Sequence, residues 1–539
     1  MLVALCACSS SGGGQAVQNQ PDKQELDTSR FLVVIEDEPD TVDFQRTSIY
    51  YTIATNVFDR LVETKADANG DVTIVPSLAE SWEVSDAGRC YTFHLRKGIT
   101  FSNGSPLTSS DVQYTLTRLL THPQSCNQDI AEAILGADKL EKGEADHLEG
   151  FEILSDLDFK ITLERPFEAF LACMSMPGAS IMDEETVVAV GDRFGMDPES
   201  TIGTGPFILK TWEPEKGMTL TANRDCWDGP PLCDGLDMRF ITEPEEARML
   251  FEDGELDILN LDDVGNYAEF FLHEDIYQDR LYQVQRIAIT YIALNESVAP
   301  LDNVQVRKAL QLGLNRQALL DAVFGGRGSV ENGIYPHGLY GFNPKLPEIP
   351  YDPEQAKALL KEAGYPDGLD LTIGVKSSSP ESEMTQVRLA VSMWEEIGVR
   401  TTIQVMDESE FMDLRKGGKL PCYTATWTAD YDDPDNFIYT FFGNSANTAF
   451  RSLCYPDEAI MGRVRQARTI PDADARLKEY RDLERIIVQE DAAWIPLFSR
   501  TYTYVISERV EGIHPSWNGS VKNEYRNVAI KETPGAEER

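Results

Sequence analysis

Apolar residues recur along the chain in short runs of two different periods. Apolar residues at alternate positions are typical of strands, and apolar residues three and four positions apart are typical of helices. The strand pattern predicts strands at Phe31–Glu36, Phe207–Trp212, Tyr291–Asn295, Leu369–Val375, Val399–Val405, Trp494–Phe498 and Tyr502–Ile506. The helical pattern predicts helices at Tyr50–Val57, Val306–Ala318, Ala356–Ala363, Val387–Ile397 and Ala473–Val488. Helices and strands that alternate so closely predict an α/β lobe with a central sheet.

Capping signals mark where several helices begin. Thr108 and Asp111 form a capping box before an apolar helix, in which each side chain accepts from the other residue's backbone. Asp352 precedes a proline at the first helical position, and Gly364 ends that helix. Asp302 and Gln305 are predicted to cap the helix that follows them.

Residues 63–194 differ from their surroundings because they are rich in hairpin signals. Glu80–Val84 and Tyr91–Leu95 are joined by a short polar turn, and Phe151–Leu163 is an alternating strand pair. The apolar stretch Phe170–Met182 follows. We expect this segment to be an inserted subdomain.

Length and charge narrow the class of protein. The chain has 539 residues, more than the ~250–300 at which a single core stops growing, so two or three domains are expected. A formal net charge of -42 repels phosphate backbones, which excludes nucleic-acid binding. The charge fits either a solvated acidic surface or attraction of cationic ligands. No run of ~20 apolar residues occurs, so no membrane-spanning helix is predicted.

Catalytic motifs are missing from the sequence. It contains no GxSxG, no HExxH and no glycine-rich phosphate loop ending in Lys-Ser or Lys-Thr. Carboxylate pairs carry little information among 90 acidic residues. We therefore expect a protein that is not an enzyme and needs no cofactor.

The N-terminus is a short apolar stretch that ends at Cys6-Ala7-Cys8 and is followed by serines and glycines. It is similar to the tail of a bacterial lipoprotein signal, in which the cysteine receives a lipid and the polar segment is a tether. We expect Cys8 to be lipidated and residues 1–29 to be signal remnant and tether. A frayed terminus with chance cysteines is the alternative.

Cysteines further along the chain suggest export and oxidation. Cys226 and Cys233 flank a loop with turn residues at its centre, which is short enough to close as a disulfide. Zinc is the competing explanation, but no CxxC occurs and the six histidines are scattered. We expect a disulfide here and no metal.

Several separated blocks resemble one family. The segment Pro76–Leu116 is similar to the signature of the family 5 solute-binding proteins of ABC importers. The turn Gly203-Thr204-Gly205-Pro206-Phe207 and the segments Leu220–Trp227 and Phe251–Ile258 continue the likeness. It extends over roughly residues 30–530.

The resemblance implies an α/β, two-lobe, periplasmic-binding-protein-like clamp of type II, cluster C, with an inserted subdomain and two hinge crossovers. Lobe I would comprise residues 30–62, 195–288 and 507–530. The insertion, 63–194, would pack on lobe I, and lobe II would comprise residues 289–506.

The same resemblance assigns candidate ligand-binding residues. In peptide-binding members an aspartate at the position of Asp430 holds the ligand's ammonium, and Trp427 lines the adjacent pocket beside Tyr431. The position that carries an arginine for the ligand's carboxylate is Ser377 here, with Lys376 beside it. Lys376 could substitute without the arginine's two-pronged geometry, or it could be an ordinary exposed lysine.

The implied function is that of a lipid-anchored extracytoplasmic protein that captures di- or oligopeptides and delivers them to an ABC permease. We expect a monomer. The same scaffold also binds nickel complexes, haem, glutathione or oligosaccharides in other members. A sensor lipoprotein without transport is a further alternative.

Overall fold

The computed structural model describes residues 28–47, 51–67, 72–520 and 524–531. Cys8, its predicted lipid and nearly all of the predicted tether lie outside the described residues. Within those residues, no helix is both long enough and apolar enough to span a bilayer.

Strands and helices alternate along the chain. The strands are β1 (Phe31–Ile35), β2 (Val62–Ala66), β3 (Val72–Pro76), β4 (Ala79–Ser85), β5 (Cys90–Leu95), β6 (Phe151–Ile153), β7 (Asp158–Thr162), β8 (Phe207–Glu213), β9 (Gly217–Ala222), β10 (Gly235–Arg239), β11 (Ile258–Asn260), β12 (Leu281–Gln285), β13 (Ala288–Leu294), β14 (Gly328–Val330), β15 (Leu369–Lys376), β16 (Val399–Met406), β17 (Cys422–Thr428), β18 (Trp494–Ile506), β19 (Val510–Glu511) and β20 (Ala529–Ile530). The helices are α1 (Tyr51–Val57), α2 (Ser109–Thr121), α3 (Ala137–Glu141), α4 (Phe170–Cys173), α5 (Glu184–Val190), α6 (Pro244–Glu252), α7 (Ala268–His273), α8 (Val304–Leu312), α9 (Arg316–Phe324), α10 (Pro353–Glu362), α11 (Glu381–Glu396), α12 (Glu408–Lys416), α13 (Asp435–Phe442), α14 (Ser445–Phe450), α15 (Glu458–Ala467) and α16 (Ala473–Arg485).

One strand, β18, joins the two halves of the main sheet. The strand order is β16-β15-β17-β13-β18-β11-β1-β10-β9-β8. The first part of β18 pairs with β13, and its last part pairs with β11 and β12. Because β12 leads directly into β13, the chain crosses between the halves there and returns along β18. These are the two predicted crossovers, although the strands predicted at Trp494–Phe498 and Tyr502–Ile506 are one continuous strand.

The insertion has its own sheet and core. Its sheet has the order β4-β5-β7-β6, and its phenylalanine rings stack in a row across the strands. Leu116 and Leu119 of α2 are buried against this sheet. The predicted capping box begins α2: the Thr108 backbone N–H donates to Asp111 at 2.8 Å.

One turn of the first half packs closely against α1. The turn at residues 203–207 lies against the end of α1, where a side chain on Gly203 would collide with the carbonyl oxygen of Val57. A side chain on Gly205 would also meet the Val57 backbone, at 2.6 Å. The glycines are needed because two backbones approach each other this closely.

The helix predicted at Val306–Ala318 is two helices, α8 and α9. Asn303, rather than Asp302, caps α8 by accepting from the Gln305 N–H. Asn315 then caps α9 by accepting from the Ala318 N–H. A side chain that accepts a backbone N–H starts a new helix even inside a continuous apolar pattern.

Candidate ligand-binding site

Asp430 lies two residues beyond the end of β17, in the contact region between the two halves. Asn436 fixes it from both sides: the Asp430 N–H donates to Asn436 Oδ1 at 2.9 Å, and Asn436 Nδ2 donates to Asp430 Oδ2 at 3.0 Å. Within the described part of the chain, the other carboxylate oxygen, Oδ1, accepts no hydrogen bond. Asp430 is therefore positioned with one acceptor oxygen free.

The three other acidic residues of this loop have structural partners. Asp432 accepts from the Tyr340 N–H at 2.6 Å. Asp433 accepts two hydrogen bonds from Arg476, at 2.7 and 2.6 Å. Asp435 is fully buried and accepts from Tyr431, Tyr480 and Arg468. Asp433 and Asp435 are thus engaged by several partners, whereas Asp430 and Asp432 each keep one carboxylate oxygen that accepts no hydrogen bond within the described residues.

Charged groups from the opposite side face Asp430. Burial is the main cause that raises the Asp430 pKa to about 6, and the nearby Asp129 carboxylate adds to the rise. Burial likewise raises the pKa of Asp129 and of Tyr51, and Asp430 contributes to the rise at Tyr51. Asp129 belongs to the insertion, and Tyr51 to α1 of the first half. The site is therefore assembled from all three parts of the molecule.

Both carboxylates can be reached from solvent although protein surrounds them. Asp129 is exposed and Asp430 is partly exposed, yet burial raises the pKa of both. A few fixed charged groups that remain accessible are a feature of ligand sites.

Aromatic residues form one wall beside Asp430. Trp427, on β17, pairs in register with Ile289 of the crossover strand β13. Its ring meets Phe441 edge to face at 5.4 Å, and the Arg451 guanidinium carbon lies 5.0 Å from its centroid. Trp427 Nε1 is buried without a hydrogen-bond partner among the described residues. This wall combines an apolar surface with an unused donor.

The two halves are in contact in this structure, and Arg468 makes one of the contacts. Its Nη1 donates to Glu132 of the insertion at 2.9 Å, and its Nε donates to Asp435 at 3.1 Å. Its guanidinium carbon also lies 4.4 Å from the ring centroid of Phe167 in the insertion. Arg468 therefore links the second half to the insertion.

Tyr431 and Lys376 occupy different surroundings from Asp430. Tyr431 is buried in the core of the insertion and donates to Asp435 at 3.1 Å. Lys376 ends β15 and donates to Glu408 at 3.4 Å. Tyr431 thus contributes to the contact between the halves, and Lys376 has an acidic partner of its own.

The predicted disulfide is not formed, because Cys226 and Cys233 are both free thiols. Cys233 is fully buried in the core of the first half. The Cys226 sulfur instead faces Arg526, whose Nη2 donates to it at 2.9 Å, and the Thr204 carbonyl. The two sulfur atoms therefore have different surroundings and do not bond to each other.

Asp129, Tyr51 and Arg451 were not among the predicted site residues. Asp129 lies in a short turn and Arg451 follows a short helix, and neither carries a local motif. A side chain that reaches the site from another part of the fold cannot be recognised from the residue spacing within a single helix or strand.

Known proteins match this chain over most of its length. The family profile described as bacterial extracellular solute-binding proteins, family 5 Middle, matches residues 73–449. Di/tripeptide-binding protein 2 of Pseudomonas aeruginosa is 30% identical over 497 residues, which cover 89% of this chain and 90% of that protein. Heme-binding protein A of Haemophilus influenzae is 27% identical over 527 residues, covering 95% and 94%.

The fold is shared with solved structures. One is the ABC transporter-associated periplasmic binding protein from Helicobacter pylori in complex with peptide STSA, with a TM-score of 0.77 and 24% identity. The likeness covers 94% of this chain and 99% of that one. It confirms the predicted two-lobe type II α/β fold.

Proposed function

We propose that this chain, which belongs to the bacterial extracellular solute-binding proteins of family 5, captures peptides and delivers them to the membrane subunits of an ABC permease. The observation that carries the proposal is Asp430, which has one free carboxylate oxygen and lies where the charge of Asp129 in the insertion acts on it. A ligand ammonium placed there would form a charge-assisted hydrogen bond, about twice as strong as a neutral one. The names of several relatives, di/tripeptide-binding proteins, support a peptide as the ligand.

Peptide capture would be linked to closure of the clamp. Trp427 would pack against the first side chain of the peptide, and strand edges would pair with its backbone. Backbone pairing is common to all peptides, so tolerance of different sequences is expected. A ligand held by both halves favours the closed form, which a permease can distinguish from the open one.

Titration calorimetry with di- to pentapeptides tests this function on the purified full chain. Replacing Asp430 by Asn removes the charge and should cost about 1.5–3 kcal/mol of binding, which is about a 10- to 150-fold rise in Kd. Asp432→Asn is the matched control, because it removes a neighbouring charge that has a structural partner. Flat heats for all peptides with the unmodified chain would contradict the proposal.

The proposed location is outside the cytoplasmic membrane, with a lipid on Cys8 as the anchor. Expression of the gene in a bacterial host should place the protein in the membrane fraction, with a mass increase at Cys8. A Cys8→Ser variant should appear in the soluble fraction. Equal fractionation of the two proteins would rule out the lipid anchor.

Haem is the second candidate ligand, because a relative named Heme-binding protein A matches nearly the full length. Haem has no ammonium, so its binding would leave the carboxylates of Asp129 and Asp430 without the cationic partner that a peptide supplies. Titration with haem should leave its Soret band unchanged if peptides are the ligand. Native mass spectrometry of the purified protein would reveal a nickel complex, glutathione, an oligosaccharide or a peptide that remains bound.

A further inference from the structure

Arg451 is an arginine of the interlobe site that lacks an acidic partner. Its guanidinium carbon lies 5.0 Å from the ring centroid of Trp427 and 4.8 Å from that of Phe441. Within the part of the chain that the structure describes, no carboxylate oxygen lies within 4 Å of it and its guanidinium donates no hydrogen bond. The guanidinium packs against the two aromatic rings, and its N–H groups have no acceptor among the described residues.

Three buried arginines of this protein are paired with carboxylates. Arg118 contacts Asp43 at 2.6 Å, Arg307 contacts Glu296 at 2.8 Å, and Arg476 contacts Asp433 at 2.6 Å. A cation withdrawn from water without a partner is costly, so such pairing is the rule. Arg451 departs from that rule at the place where a ligand would enter.

Arg451 lies near the two acidic residues. Its charge lowers the pKa of Asp430 and of Asp129 against the effect of burial. Its guanidinium packs against Trp427, which is three residues before Asp430 in the chain. This region therefore combines carboxylates from both halves with one guanidinium whose donors are free among the described residues.

We propose that Arg451 binds a carboxylate of the ligand, through the two parallel N–H groups at the edge of its guanidinium. This inference rests on the proposed peptide-binding function and adds its second anchor. A ligand that carries both an ammonium and a carboxylate satisfies Asp430 and Arg451 together, as an isolated cation or anion does not. The carboxylate is either the C-terminus of a short peptide or an acidic side chain.

Arg451 also supplies the partner for a ligand carboxylate that the sequence lacks at position 377. Ser377 occupies the position at which an arginine was expected, and the neighbouring Lys376 is paired with Glu408. Arg451 comes from a different element, the residue after α14. A planar guanidinium binds a carboxylate in a two-pronged manner, which the point charge of a lysine does not reproduce.

The test compares the purified full chain with Arg451→Gln by titration calorimetry. The probes are a dipeptide and its C-terminal amide, followed by a Glu-containing peptide and its Gln counterpart. We expect the unmodified chain to prefer one acid over its amide by about 10- to 100-fold, and Arg451→Gln to abolish that preference. Arg388→Gln, which removes an exposed charge paired with Glu381, should keep it.

The pattern of preferences identifies the source of the carboxylate. Loss of the preference between dipeptide and amide assigns the C-terminus, and loss of the preference between Glu and Gln assigns a side chain. Equal discrimination in Arg451→Gln and in the unmodified chain overturns the inference. Arg451→Lys should restore only part of the preference if a two-pronged contact is involved.

A second probe separates this inference from the proposed function. N-acetylglycine has a free carboxylate and no ammonium, so it depends on Arg451 and not on Asp430. If no peptide binds but N-acetylglycine at high concentration raises the Tm of the unmodified chain and not of Arg451→Gln, the peptide function is wrong and the carboxylate site stands. If neither probe acts through Arg451, the carboxylate site is refuted.

Discussion

Asp430 should make peptide affinity depend on pH in a range where ordinary aspartates no longer titrate. Burial raises its pKa from 3.8 to about 6. A bound ammonium favours the charged carboxylate, so the pKa in the complex is lower than in the free protein. Binding below pH 6 must therefore expel a proton. The apparent Kd then rises by a factor of about 1.1 at pH 7 and about 11 at pH 5, relative to the fully ionised protein.

Titration calorimetry of one dipeptide at pH 5, 6 and 7 measures this dependence. The upper limit is pH 7 because the peptide's own amine loses its proton at about 7.7–8.0. At pH 6, two buffers of different ionisation enthalpy should report the release of about half a proton. The expected result is an affinity that falls about tenfold from pH 7 to pH 5.

Two variants assign the effect to Asp430. Asp430→Asn should bind weakly and show little dependence on pH over this range. Asp432→Asn should retain the dependence, although burial also raises the Asp432 pKa to about 6, because that carboxylate is engaged by Tyr340. An unchanged pH slope in Asp430→Asn, or a constant affinity in the unmodified chain, would refute the reasoning.

Three further predictions concern closure and stability. Glu132→Gln weakens the contact with Arg468 across the halves by about 1 kcal/mol, so small-angle scattering of the unliganded protein should show a larger radius of gyration; no change would mean that this ion pair does not hold the clamp closed. Asp430→Asn should stabilise the unliganded protein at pH 7, by about 1 kcal/mol after discounting for its accessible surface. The reason is that the folded state disfavours the charged carboxylate, so the unmodified protein loses stability as the pH rises through 6. Denaturant unfolding at pH 7 and at pH 4 should show a gain in the free energy of unfolding only at pH 7. Gly203→Ala should destabilise by several kcal/mol through its collision with the end of α1. Gly462 is half-buried in the middle of α15, where a methyl group would meet only the end of the Arg465 side chain, at 3.6 Å. Gly462→Ala should stabilise by up to about 1 kcal/mol; equal unfolding midpoints would contradict both expectations.

Local signals predicted the boundaries of single elements well. The capping box at Thr108 and the cap at Asp352 are both formed, because each depends only on residues three positions apart. The prediction of a single helix at Val306–Ala318 was wrong because it relied on apolar spacing and not on a local cap. Its apolar spacing continues through the break, and only the cap made by Asn315 shows that a second helix begins.

The candidate site was predictable in part. The family resemblance singled out Asp430 among four acids that composition could not distinguish. In the structure Asp433 and Asp435 hold the loop itself, whereas Asp430 and Asp432 each accept one hydrogen bond, so the choice of Asp430 remains a prediction. The disulfide prediction was wrong because short spacing says nothing about which way each sulfur faces.

The charges of the site give a physical reason for the clamp to respond to its ligand. Asp430 belongs to one half and Asp129 to the insertion on the other, and the Asp129 carboxylate contributes to the raised pKa of Asp430. Closure without a ligand therefore brings like charges together, which opposes the contact that Arg468 makes between the halves. Under the proposed function, a ligand ammonium between the two carboxylates would remove that repulsion, and a ligand carboxylate would pair with Arg451. The same ligand would thus stabilise the closed form twice, and a ligand can shift the equilibrium only by such a difference in interaction between the two states.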